Sequence, residues 1–90
     1  MNYVYILRCR DNSLYTGWTN NLEKRIETHK LGKGSKYTRS RLPLRLETFF
    51  ILKSKNEALS LERKIKSLTK NQKEELILSK KDPYEFMKNL

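Results

Sequence analysis

Arg25 and His29 lie four residues apart in "NLEKRIETH", so a helix there places both on one stripe with Leu22 and Ile26. Tyr5 in "YVYILRC" and Tyr15 in "LYTGWT" stand upstream, and Glu62 in "ALSLERKIKSL" lies downstream. No one of these five is specific by itself, and their joint arrangement is what could do chemistry. Arginine is rarely buried without a partner, and histidine is a group that titrates near neutrality. A tyrosine accepts a proton only where nearby cations pull its pKa below the usual value of about 10. A lone glutamate can hold magnesium when phosphate oxygens and waters complete the shell. Each residue also has an ordinary reading. Arg25 and His29 could edge a surface helix, the tyrosines could be packing, and Glu62 could pair with Lys66. Gly17 could mark a bulge or leave room for a phosphate.

The elements that must position these residues are legible in outline. "YVYILRC" (Tyr3–Cys9) and "LYTGWT" (Leu14–Thr19) read as a β-hairpin around "RDNS". A three-residue loop of Asp11, Asn12 and Ser13 makes the numbers of opposed residues sum to 24. Tyr3, Tyr5, Tyr15 and Gly17 then share one face, with Val4, Ile6, Leu14, Thr16 and Trp18 on the other. Asn20 is the expected cap of a helix from about Asn21 to Leu31, with Glu23 at the capping-box position. Lys30 to Arg45 carries six Lys or Arg and no acid, and reads as a mobile basic loop before a strand over Leu46–Ser54. Ser54 and Glu57 open a helix through about Leu68, with Ala58, Leu61, Ile65 and Leu68 on one stripe. A third short helix follows in "NQKEELILS". Asp82 and Pro83 begin a last one.

The length suits a single domain over residues 1–90. At 37% hydrophobic and 10% aromatic the chain can fill a small core, which excludes a disordered tail. Twenty Lys and Arg against ten Asp and Glu leave a charge of +10, which favours a polyanionic partner, nucleic acid first. Cys9 is the only cysteine, so an internal disulfide and a cysteine-based zinc site are excluded, and its apolar setting predicts a buried thiol. No signal-peptide pattern or membrane-length apolar run is expected, and the cytoplasm is the expected location.

Taken together, the order and spacing of these motifs resemble the GIY-YIG endonuclease domain. "YVY" at Tyr3–Tyr5 matches the first half-motif with tyrosine for glycine. "YTG" at Tyr15–Gly17 matches the second with threonine for isoleucine. Arg25 and His29 match the family's helix, and Glu62 its distal glutamate. "YTGWT", "NLEKRIETH" and "KYT" are most similar to small stand-alone members of unassigned function.

The resemblance implies a small three-stranded, mostly antiparallel sheet flanked by helices, an α/β (α+β) fold. It further implies metal-dependent hydrolysis of phosphodiester bonds, with branched, damaged or single-stranded DNA favoured over RNA and over a defined sequence. Arg25 would stabilise charge on the scissile phosphate, and Glu62 would hold one magnesium or manganese ion. One of Tyr5 and Tyr15, with His29, would activate water. Lys33, Lys36, Arg39 and Arg41 would grip the backbone, and Tyr37 would stack on a base or pack. Two alternatives stand beside this reading. One is a nucleic-acid-binding module of weak activity. The other is an adaptor for a repair or RNA-processing protein, docking through Tyr84, Phe86 and Met87 of the last helix.

Overall fold

A computed structural model describes the whole chain, residues 1–90. Three antiparallel strands form a sheet in the order β2-β1-β3: β1 (Asn2–Arg8), β2 (Leu14–Thr19) and β3 (Arg45–Leu52). Helices α1 (Leu22–Lys30) and α2 (Lys36–Arg39) lie between β2 and β3 in sequence. Helices α3 (Lys55–Lys66), α4 (Lys70–Ser79) and α5 (Pro83–Lys88) follow. The expected α+β architecture is the observed one.

The hairpin turns one residue earlier than expected. Cys9 N–H donates to the Ser13 carbonyl at 2.9 Å, and Asn12 N–H donates to the Cys9 carbonyl at 2.9 Å. The loop is therefore Arg10, Asp11 and Asn12, and Asn12 takes the left-handed conformation (φ 70°) that closes such a turn. Opposed residues sum to 22, as in Tyr5↔Gly17, instead of 24. An even shift keeps every side chain on its expected face.

Val4 and Ile6 point to one face and pack with Leu52, Ala58, Leu61, Ile65 and Leu76 as the larger core cluster. The other face carries Tyr5, Leu7, Cys9 and Leu44, backed by Tyr15, Leu22 and Ile26. Cys9 is buried as expected. A register shift between Ile6 and Leu7 leaves Glu47 without a partner in β1 and turns it toward Arg8. Arg8 bonds Glu47 at 3.1 Å and grips Glu74 of α4 through both terminal nitrogens at 2.6 Å. This pairing ties α4 to the sheet and draws the Glu74 pKa down to about 2.

The helix caps are local consequences of sequence. Asn21, not Asn20, caps α1 by accepting from Lys24 N–H at 3.2 Å. Ser54 caps α3, Thr69 and Gln72 form a capping box on α4, and Asp82 caps α5. The helix expected through Leu68 ends at Lys66, where Ser67 forms the C-cap. Phe86 and Met87 pack against the larger core, so of the three residues expected to dock a partner only Tyr84 is exposed. No helix is long and apolar enough to cross a membrane.

Candidate active site

Tyr5, Tyr15, Arg25 and His29 meet on the sheet face covered by α1 and α2. Tyr5 and His29 are 1% and 0% exposed, and the Tyr5 hydroxyl lies 2.8 Å from His29 Nε2. The other ring nitrogen, Nδ1, lies 3.0 Å from Thr38 Oγ1. Thr38 Oγ1 donates to the Ser35 carbonyl at 3.2 Å, so it accepts from His29 Nδ1–H. Nε2 is then the acceptor for the Tyr5 O–H. The result is one directed chain, Tyr5 to His29 to Thr38 to Ser35.

Electrostatics keep this chain neutral. Burial raises the Tyr5 pKa against an opposing hydrogen bond from Arg25, and the fields of Tyr15 and Glu62 also raise it. Burial, with the Arg25 charge adding, holds His29 at about 4. Burial thus keeps Tyr5 a phenol at neutral pH, the opposite direction to the lowered pKa expected of a tyrosine that accepts a proton. Arg25 takes part in none of the ion pairs of the chain. A half-buried guanidinium without a carboxylate, beside the Tyr5 phenol, suits an incoming anion.

Two glycines make room for the pair. A Cβ on Gly17 would come within 2.5 Å of the Tyr5 hydroxyl and 2.7 Å of Tyr5 Cζ. One on Gly34 would meet the His29 ring, 2.8 Å from Cε1. Gly17 sits in regular pairing opposite Tyr5, so it is no bulge, and its open space is taken by the Tyr5 ring. Gly34 and Thr38 are further members of this cluster, and the sequence reading did not assign them to it. The signal for Thr38 was "KYT", noted only as a likeness.

Part of the basic segment, expected to be a loop, is a helical turn packed against the site. Ser35 caps the single turn of α2, Thr38 anchors it on His29, and Tyr37 stacks on Tyr15 at 6.1 Å between ring centroids. The Arg41 guanidinium lies 3.8 Å over the Tyr37 ring, bonds the Tyr37 carbonyl at 2.9 Å and pairs with Asp11 at 3.1 Å. Arg41 is thus committed to holding α2 against the hairpin turn. Lys33, Lys36 and Arg39 are exposed.

Glu62 arrives from α3, on the other side of the sheet. Its side chain is 16% exposed and lies 3.3 Å from Lys66 Nζ, with its charge felt at the Tyr5 hydroxyl. No group of three His, Cys, Asp or Glu side chains is placed to hold a metal ion. A protein-built metal cage is therefore excluded. A single carboxylate whose charge reaches the Tyr5 hydroxyl still fits a magnesium-type ion whose other ligands are phosphate oxygens and waters. A hollow of about 970 Å³ lies further along the α1 face among Tyr3, Ile26, Phe49 and Ile51. None of the five site residues lines it.

Comparison with known proteins bears on the family and the fold. The family model described as GIY-YIG catalytic domain matches residues 1–75. A UPF0213 protein of Clostridium perfringens is 62% identical over 80 residues, covering 89% of this chain and 86% of that protein. The solution NMR structure of a UPF0213 protein from Bacillus halodurans is 47% identical, with a TM-score of 0.60 over 100% of this chain and 97% of that one. The solution NMR structure of an E. faecalis protein is similar at 35% identity and a TM-score of 0.60, covering 87% and 83%.

Proposed function

The chain belongs to the GIY-YIG family, and from that premise we propose that it is a metal-dependent endonuclease acting on nucleic acid, with structured DNA as its preferred substrate. The observation that carries this reading is the buried Tyr5–His29 hydrogen bond beside the unpaired Arg25 cation. A structural tyrosine–histidine pair needs no free guanidinium next to it. A phosphodiester cleft does.

The chain's own residues supply most of the chemistry. A phosphodiester docks on Arg25, which stabilises the charge growing on its non-bridging oxygens. That docking also offsets the Arg25 field at His29, one of the two causes of its low pKa, so substrate raises the basicity of the relay. As water attacks phosphorus, its proton passes to the Tyr5 oxygen while the Tyr5 proton passes to His29 Nε2. The imidazolium keeps its Nδ1–H on Thr38. Tyr15 walls the cleft between His29 and Tyr37. A magnesium or manganese ion held by Glu62 would polarise the phosphodiester and neutralise charge on the leaving oxygen. Lys33, Lys36 and Arg39 hold the backbone without reading sequence, on the platform that Tyr37 and Arg41 brace.

The Glu62–Lys66 pair favours one second reading, a binding module in which the lysine permanently neutralises the carboxylate. Labelled single-stranded, nicked, flapped and branched DNA, and RNA, incubated with either metal, separate the two. Nuclease activity predicts cleavage that Glu62→Ala and Arg25→Ala each abolish while Glu62→Ala still binds. Binding with no cleavage on any substrate, unchanged in both variants, contradicts it.

A further inference from the structure

Thr16 occupies the middle of the "YTG" motif, and its role is not explained by the Tyr5–His29 relay. It is 3% exposed, and its hydroxyl is the only buried side-chain polar atom in the protein without a hydrogen-bond partner. A buried unpaired hydroxyl destabilises a fold unless something outside the fold completes it. Thr16 also sits on the free edge of the sheet. Cys9 and Ser13 form a hydrogen-bonded pair, so bonding to β1 falls on the odd residues of β2. The Thr16 N–H consequently points away from β1, toward the open side.

That side holds a hollow of about 230 Å³, lined by Leu14, Tyr15, Thr16, Tyr37, Lys66 and Lys73. Its charged residues are two lysines, from α3 and α4, and no acid lines it. Lys73 takes part in none of the ion pairs, and its pKa is lowered by burial and by the Lys66 charge. Lys66 already has a carboxylate partner in Glu62, which leaves the half-buried Lys73 ammonium as the cation of the hollow that calls for an anion. Lys66 also bonds Glu62, and Tyr15 also touches the relay, so the hollow adjoins the candidate active site.

We propose that this hollow is a phosphate subsite, in which Lys66, Lys73 and the Thr16 hydroxyl receive the backbone phosphate next to the scissile one. The placement beside the scissile phosphate rests on the nuclease reading. Binding of phosphate does not. The lysines supply charge, and Thr16 fixes the register of the strand through a donor that has no other partner.

The test is an amide and lysine-ammonium NMR titration of the intact chain, first with inorganic phosphate against chloride at matched ionic strength, then with a six-nucleotide single strand. Saturable shifts at Thr16 and Lys73 are expected with both, and the oligonucleotide should compete phosphate away. Lys73→Gln should weaken phosphate at least about fivefold and reduce the slope of log affinity against log salt for the oligonucleotide by about 0.7. Thr16→Val should weaken both ligands while raising Tm, because a fold-only hydroxyl would lower it when lost. Unchanged affinity and salt slope in both variants would overturn the subsite. Phosphate that binds but is not displaced by the oligonucleotide would overturn its assignment to a nucleic-acid backbone. Retained phosphate binding in a protein that cleaves nothing would sink the nuclease reading and leave the subsite standing.

Discussion

The two faces of the sheet bury their residues equally well for different ends. On one, Val4, Ile6, Leu61 and Ile65 are fully enclosed in an apolar cluster. On the other, Tyr5, His29 and Thr38 are just as enclosed, yet each uses a polar atom on a neighbour. Burial on the first face removes apolar surface from water and stabilises the fold directly. On the second, burial holds a histidine neutral, which costs stability in acid, and a phenol protonated, which costs it in alkali. One alternating strand, β1, serves both, because successive side chains leave it on opposite sides.

The sharpest way to break this comparison is to cut a side chain from the apolar face. Leu61→Ala should destabilise the protein by about 2–5 kcal/mol, read by denaturant unfolding. Below its lowered midpoint, cleavage per folded molecule should stay as in the wild type. Loss of cleavage with the fold intact would mean that the faces are not separate.

Gly17→Ala perturbs the other face by a single carbon, placed 2.5 Å from the Tyr5 hydroxyl. The ring must move, at a cost of about 1–3 kcal/mol. Cleavage should fall far more than stability does, because the Tyr5–His29 bond is lost.

A smaller effect belongs to pH. The folded pKa of His29 is about 4, below its ordinary 6.5, so the unfolded chain binds the proton first as pH falls. Stability from this group is complete above about pH 6.5 and declines by about 1.4 kcal/mol per pH unit toward pH 4. Glu74, with its pKa near 2 against an ordinary 4.5, contributes its own loss only below about pH 4.5. The window between 4.5 and 6.5 therefore isolates His29. His29→Gln should flatten the slope there in urea melts across pH, and an unchanged slope would place the titration elsewhere.

Most of the architecture was legible in the sequence because it follows from short-range chemistry. The β-branched and aromatic run of β1, the caps at Ser54 and Asp82, and the stripe of Ala58, Leu61 and Ile65 are local patterns. The face assignment of Tyr5 and Gly17 survived an error in the turn, since moving the loop by one residue shifts the register by two. What sequence could not supply was contact across distance. Nothing in "GKGSKYT" reveals that Thr38 meets His29 nine residues back, or that Gly34 clears the ring. Composition also misled in part, for a run of lysines and arginines without acids looked like a loop until Thr38, Tyr37 and Arg41 were seen anchoring a helical turn in it. The tyrosine chemistry was legible in type and not in state. A strand position can be read from spacing, but whether a phenol there is ionised depends on burial that only the fold provides.

Tyr5→Phe is the most direct test of the proposed relay, because it removes one oxygen and leaves the ring. The measurement is single-turnover cleavage of the substrate found for the wild type, with affinity and melting followed on the same samples. A fall of at least about 100-fold in rate, with substrate still bound and the protein still folded at the assay temperature, is the predicted result. Cleavage within a few-fold of the wild type would contradict the account, since water would then be activated without the Tyr5–His29 pair.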